Sequence, residues 1–441
     1  MNKNRNNGLQ KNRGAAIITA VVFFVIISTA MAIGLSSPVA REYVTARDFE
    51  KSKGAYYLSE SGSEDAIYRI KKAKPISAQE IISLGGNTAT TTITDVNATQ
   101  KFVSSLGDIL SNTRRVQSTL TTSSGESFSY GVQAGDGGVR LENSSTITGS
   151  LFSAGPIIGS NNLVTGTVIS GGTTGLNGSI TGVFNQGGSH MYAGTISNST
   201  ISGSAYCNTI SGSNKSSCQT LTAQVAQPFP ITAQDIANWE TAAALPTPAT
   251  CSGGKYSIND SVSIGPKKIP CDLEITGTGS GGGPTITLGG PIWVTGNIKI
   301  KNHLTIRVDP TLVGQSIVMI SDNPSDHLNS STISVEGEGL NFAGAPGGNS
   351  WVMLISENNG ASLGDPSEAI ELEQGAQGDI LLYARLGDIL LKNNASVKEV
   401  TGYKITLQNG ANVTYVSGLQ NALFTSGPGG TWTIQDWKEG Q

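Results

Sequence analysis

A short phrase recurs in the middle of the chain: Ile147-Thr-Gly149, Val164-Thr-Gly166, Ile169-Ser-Gly171, Ile180-Thr-Gly182, Ile201-Ser-Gly203 and Ile210-Ser-Gly212. It returns as Ile275-Thr-Gly277 and Val294-Thr-Gly296, and the stretch from Asn143 to Asn214 holds no Asp, Glu, Lys or Arg. Each phrase places a β-branched residue to face inward, a small hydroxyl to face outward, and a glycine where the chain turns sharply or another strand comes close. Such strands cannot bury their apolar side alone, so the pattern predicts stacked turns: a right-handed parallel β-solenoid, or β-helix-like body, with Asn and Thr stacking in ladders on successive rungs. A flexible Gly/Ser linker would lack the β-branched residue before each turn.

From Cys251 onward strand patterns continue. Leu304-Thr-Ile-Arg-Val308 alternates and predicts one buried face, whereas Ile317-Val-Met-Ile320 predicts burial on both. Between the two β-rich parts, Pro228-Phe-Pro230 leads into Thr232-Ala-Gln-Asp235, the spacing of a capping box, and Pro246 and Pro248 follow. One short helix is expected there, as an insertion or hinge. Thr431 to Trp437 reads as a last strand.

The N-terminus is of another kind. Lys3, Arg5, Lys11 and Arg13 precede Gly14 with no acid among them, and no residue from Gly14 to Ala40 is charged. At about 1.5 Å per helical residue, Ala15 to Leu35 is long enough to cross a hydrocarbon core of roughly 30 Å. The positive-inside bias keeps the leader cytoplasmic and the remainder outside. Pro38 predicts an end or kink in that helix, and Val39 to Lys74 a second helical segment closing on Lys71-Lys72-Ala73-Lys74 before Pro75, with a bend at Gly54 and Ser61-Gly62-Ser63.

A basic leader ending in glycine and followed at once by an apolar helix resembles the class III signal of type IV pilins. That resemblance implies a cut by prepilin peptidase between Gly14 and Ala15, methylation of the new Ala15 amine, and the membrane, other pilins and the pilus assembly machinery as partners. Major pilins carry glutamate at the fifth mature position, where this chain has Thr19. The segment Gly54 to Arg69 resembles that of PilX-type minor pilins, so the resemblance implies a minor rather than a bulk component.

The 441 residues are enough for two or three domains. The organisation expected is a leader at 1–14, a transmembrane and extended helix at 15–74, and a β-rich connecting region at 75–140. Solenoid segments follow at 141–225 and 251–441, the second including the C-terminal strand, with the helical insertion at 226–250 between them. The fold class is therefore mainly β behind a long N-terminal helix. Net charge is −4, and basic residues do not alternate with aromatics as in single-strand binders, so no nucleic acid is expected.

The cysteines fall as Cys207 with Cys218 and Cys251 with Cys271, all in the part expected outside the cell, where thiols oxidise. Two local disulfides are expected, since no C-x2-C pair of the zinc-ribbon kind occurs. No metal and no cofactor is expected. The clustered carboxylates or basic residue that a polysaccharide-cleaving solenoid would need have candidates in Asp322, Asp326 and His327, in Glu336 and Glu338, and in Asp365, Glu368, Glu371 and Glu373, none at a catalytic spacing. The Asp322–Asp326 loop lacks the alternating oxygens and closing glutamate of a calcium loop. His190 and His303 belong to no catalytic motif, and Trp293, Trp351, Trp432 and Trp437 read as buried anchors before sugar platforms. The chain is read as non-enzymatic, a single-pass anchored surface protein for assembly or adhesion. The rival is an anchored or secreted solenoid that binds or cleaves polysaccharide, with surface polysaccharide as its partner.

Overall fold

The computed structural model describes residues 12–71, 76–97, 100–121, 128–224, 227–277, 282–426 and 433–440, the side chains of 12–15, 37, 71, 97 and 433 excepted. Leader residues 1–11, the basic run at 72–74 with Pro75, and Thr431 and Trp432 lie outside the described residues. The chain is mainly β with a long N-terminal helix, and divides into Met1–Thr121 with Thr433–Gln441, and Thr122–Trp432.

In the first unit, helix α1 (Asn12–Lys71) is continuous. The division into two helices expected at Pro38 is not seen. Ser36 Oγ gives a hydrogen bond to Ile33 O (3.0 Å), next to the Gly34 carbonyl that Pro38 leaves without its helical donor. The half of α1 before Pro38 is bare, with Ile17 65%, Phe24 72% and Leu35 69% exposed, whereas Ala55, Leu58, Ala66, Ile67 and Ile70 are buried. That lower half packs on an antiparallel sheet of β1 (Gln79–Leu84), β2 (Asn87–Asn97), β3 (Gln100–Ile109) and β4 (Asn112–Thr121). The C-terminal strand Thr433–Gly440 pairs antiparallel with β4, in this sheet rather than in the parallel part.

The small residues of α1 serve a close approach where a bend was expected. A Cβ on Gly62 would stand 2.5 Å from Ser105 Oγ, and one on Gly107 of β3 would stand 2.1 Å from Ala55 O. Helix and sheet therefore meet at backbone distance, and Ser63 Oγ reaches Ser118 Oγ at 3.4 Å.

The second unit is built of parallel, in-register pairings in three columns. The first contains Lys267–Ile269, Ile292–Val294, Ile317–Ser321, Val352–Ser356 and the first half of Ile380–Leu391. The second runs through Lys255–Ile258, Asp272–Thr276, Ile298–Lys301, Ile333–Glu336, Glu368–Leu372 and the second half of Ile380–Leu391. The third joins Val262–Ile264, Thr285–Leu288, Leu304–Val308, Leu340–Ala343, Gln377–Gly378, Ser396–Val397 and Asn412–Thr414. The chain visits second, third and first column in rotation, and each pass stacks on the one before. Inward residues such as Ile275, Ile300, Val335, Ile306 and Phe342 form the central core, where each fully buried aliphatic side chain contributes about 1.5–3 kcal/mol.

The order of turns along the stack is not the order of the chain. Glu399–Leu407 pairs with Val132–Leu141, and Asn412–Thr414 with Ser145–Thr148, so the last turn docks on the first. From this seam the earlier residues continue through Leu151–Ser153, Ile157–Gly159 and Asn162–Val164 to Met191–Ser197 and Ala205–Ser211. The strand Val132–Leu141 thus spans the 140/141 boundary drawn from the sequence. The segment 227–250 carries the chain from one half to the other, and includes α2 (Ala233–Ala244), capped by Thr232 and Asp235.

Corners were expected to be glycine, and between second and third columns glycine shares the left-handed turn with asparagine: Gly182 (φ 68°) and Gly212 (59°) take it on some turns, Asn143 (49°), Asn161 (49°), Asn393 (53°) and Asn409 (53°) on others. Asparagine tolerates this region and its amide can bond to the next rung. Asn409 Nδ2 donates to Asn393 Oδ1 (3.2 Å) and Asn143 Nδ2 to Asn409 Oδ1 (3.1 Å), so the ladder crosses the seam.

The structure joins Cys207 to Cys218 and Cys251 to Cys271. Each bond lies at an outermost turn, Cys207 in Ala205–Ser211 and Cys271 beside Asp272–Thr276, which pairs with the end strand Lys255–Ile258. Open strand edges are thereby tied down.

Replacing Gly107 with valine should lower the stability of the helix–sheet unit by about 1–3 kcal/mol through overpacking, read as a lower urea midpoint or faster amide exchange in β3 and β4. Reducing and alkylating both disulfides should speed exchange in 205–219 and 255–276 while the seam strands stay protected, with a loss of roughly 2–4 kcal/mol where these ends open.

Candidate functional site

Register places one outward side chain per turn in a continuous row on the first column: Lys268, Trp293, Ile320, Ile355, Tyr383, Thr401, Gln133, Phe152, Ile169, Tyr192 and Tyr206. Its middle is apolar because it is covered. Ile236 and Trp239 of α2 pack with Ile231, Phe128 and Phe424 over Ile320, Ile355 and Tyr383, forming a second core outside the stack. Trp239 and Phe424 meet edge to face at 5.4 Å, and Tyr383 Oη donates to Ile231 O.

At the edge of that cover lies a cluster of ionisable groups. Glu240 comes from the second half of α2, Asp322 and Glu357 from the ends of adjacent first-column strands, and Arg385 from the corner of Ile380–Leu391. His327 Nε2 lies 2.6 Å from Asp322 Oδ1, and Arg385 Nη2 donates to Glu357 Oε2 at 3.1 Å. Trp293 Nε1 donates to Asp322 O (3.1 Å), and Lys268 Nζ sits 3.7 Å over the Trp293 ring. Burial, then a hydrogen bond to Asp322 and the charges of Asp322 and Glu357, push the Glu240 carboxyl up to about 9, with Lys268 opposing. At neutral pH Glu240 therefore keeps its proton and gives it to Asp322 as a hydrogen bond. Glu357 is also raised by burial, against the pull of Arg385. Among the described residues Glu240 Oε1, Glu357 Oε1 and Arg385 Nε are buried without a partner. With the Asp322 and Glu357 side chains only 11% and 12% exposed, the cluster faces α2, and fastens that helix to the stack.

Arg385 also borders a cleft of about 340 Å³ at the seam, walled by Phe152, Phe229, Tyr403, Leu386, Asp136 and Gln227. It forms where the strands Ile380–Leu391, Glu399–Leu407 and Val132–Leu141 turn the corner between columns and their register shifts. Beyond Phe152 the row is half-exposed: Tyr192 and Tyr206 stack at 4.4 Å with planes 2° apart, and His190 meets Tyr206 edge-on at 5.7 Å.

The acids named from the sequence do not gather at one centre. Only Asp322 and His327 join the cluster; Asp326 accepts from Asn329 and Asp365 from Ser367. Glu336 pairs with Lys299 (2.8 Å), Glu371 and Glu373 share Lys392 (2.6 and 3.3 Å), Glu338 is exposed, and Glu368 stands in register with Asp388. His190 Nδ1 accepts from Ser204 N (3.0 Å), and His303 lies against Gly339. Trp351 is buried, Trp437 is half-buried in the C-terminal strand, and Trp432 lies outside the described residues. Gly14, Ala15, Thr19 and Leu35 all belong to α1. Among the described residues no group of three or more His, Cys, Asp or Glu is placed to hold a metal ion. Sequence reasoning missed Glu240, Glu357, Arg385 and the Phe152–Tyr206 row. Their approach depends on register, and the row residues fall at uneven spacing along the chain.

No protein-family model matches the chain, and no curated protein matches it. Among solved structures, that of the competence-associated pilin ComZ from Thermus thermophilus is similar over 88% of this chain and 97% of its own, at 12% identity and a TM-score of 0.37. A likeness at that level bears on neither fold nor role.

The Glu240 carboxyl sets a pH dependence whose sign is fixed. Between the unfolded value near 4.5 and the folded value of about 9 the native state holds a proton the unfolded chain has lost, so stability falls as pH rises through that window. Because Glu240 keeps some contact with solvent, screening reduces the effect to about 1–2 kcal/mol. Glu240→Gln keeps a donor for Asp322 without an ionisable proton. It should flatten the dependence and melt higher than wild type at pH 8 while matching it near pH 4.5, as followed by thermal unfolding.

Proposed function

We propose that the chain is a pilin-like surface protein: inserted by α1, cut by prepilin peptidase between Gly14 and Ala15, and joined to other pilins as a minor component of a type IV pilus or pseudopilus. The observation that carries this reading is the bare apolar half of α1. Ile17 to Leu35 present apolar side chains on every side, on a helix long and apolar enough to span a bilayer, and such a surface requires lipid or neighbouring apolar helices around it. The charge distribution before Gly14 supports a cytoplasmic N-terminus and an outer body. Thr19, in place of the glutamate of bulk subunits, supports a minor role.

The body is read as a right-handed β-solenoid serving assembly, adhesion or surface interaction, without catalysis or cofactor. Rotation through three parallel columns supports the solenoid, and the near-universal hand of parallel crossover connections supports its direction. A reading as an anchored or secreted polysaccharide-binding solenoid is favoured by one specific observation, the open cleft and its tyrosine row.

Expression of the full chain with a prepilin peptidase, followed by N-terminal sequencing and intact mass, should return a mature form beginning at Ala15. Recovery of the uncut Met1 form, or of a start beyond Leu35, defeats the pilin-like reading.

A further inference from the structure

We propose that the seam cleft and the tyrosine end of the outward row form one binding surface for an uncharged glycan chain. The inference deepens the reading of the body as a surface-interaction domain, and does not depend on the cut at Gly14.

The surface is narrow and repeating. Phe152, Ile169, Tyr192 and Tyr206 occupy successive turns, about 4.7–4.9 Å apart as neighbouring strands are; Phe152 is buried, and each turn beyond it offers one half-exposed residue. A protein partner would call for a broader apolar patch, whereas a chain of repeated units matches a row one side chain wide. The stacked rings of Tyr192 and Tyr206 are half-exposed and carry both an apolar ring and a phenolic hydroxyl, which suits a ligand whose units carry both C–H faces and hydroxyls.

The surface is also without net attraction for charge. From Asn143 to Asn214 the chain offers Ser, Thr and Asn but no Asp, Glu, Lys or Arg, and His190 is its one histidine. In the cleft the Arg385 guanidinium is already matched by Glu357, and Asp136 lies at the exposed rim. Hydrogen bonding and apolar contact are what remain to recognise a ligand, and an acidic polymer would gain little.

The cleft gives the row a place to begin. Phe152, itself buried, belongs to both, and the half-buried Phe229 and Tyr403 line the cleft of about 340 Å³ together with the exposed Gln227.

The test uses the full chain in a zwitterionic detergent that carries no sugar headgroup. Calorimetric titrations would be run with hexasaccharides of glucose and of N-acetylglucosamine in both α and β linkage, and with oligogalacturonate as the acidic comparison. A neutral hexasaccharide should bind, with an affinity that changes less than about twofold between low and high salt. Tyr192→Ala with Tyr206→Ala should weaken it about tenfold or more, and Tyr192→Phe with Tyr206→Phe clearly less. Ala154→Phe, which fills the cleft from a separate position, should weaken it as well, and unchanged circular dichroism of each variant excludes misfolding. Binding to none of these sugars overturns the proposal, as does binding untouched by the alanine pair, or a preference for oligogalacturonate that fades with salt. A mature Ala15 terminus without glycan binding would sink this inference alone; glycan binding by a chain that is never cut would sink only the pilin-like reading.

Discussion

The parallel pairing of Glu399–Leu407 with Val132–Leu141 holds two distant parts of the chain in a single stack. If the register slipped there by one residue, every inward side chain on one side of the seam would face solvent. Two further contacts oppose a slip: Asn412–Thr414 pairs with Ser145–Thr148 in the third column, and the Asn393–Asn409–Asn143 ladder runs through the same level. The cleft depends on the seam too, since its walls come from both halves and its opening from the corner where register shifts.

Around that joint, the crossing segment does more than connect. Its helix lays Ile236 and Trp239 on the outer side of the first column and closes a second core there. The same stroke buries Glu240 against Asp322 and Glu357. Burying a charge without a partner is expensive, and the cluster avoids it by keeping one proton between two carboxyls and balancing another with Arg385. Apolar cover and polar fastening thus meet on one helix, and the row emerges from under the cover as the half-exposed stripe ending at Tyr206.

What could be read from the sequence was whatever is local. The β-branched residue before each glycine shows where strands end, Thr232 and Asp235 mark the start of α2, and the uncharged run after Gly14 reads directly as an apolar helix. The seam could not be read, because a turn such as 399–414 resembles every other turn and carries no address for 132–148. Glu240 and Asp322 lie far apart in sequence and in different elements, and nothing near either residue signals the other. The corners taken by Asn alongside those taken by Gly were hidden for another reason: both residues tolerate the left-handed region, and only stacking distinguishes them. Gly62 was taken for a point of weakness in sequence, but the space opposite it is occupied by the side chains of Ser105, Thr91 and Ala89 in the sheet.

A chain delivered N-terminus first would make the turns from Val132 to Cys218 before the strands that cover their inner edge exist. Those turns contact their neighbours locally and can form early, yet the edge of Val132–Leu141 would stay unpaired until residue 407 had arrived. An unpaired parallel edge is a template for any other strand. The interval between the two deliveries is therefore when this protein is most open to mispairing, and closing the seam is the slow, long-range step of its folding.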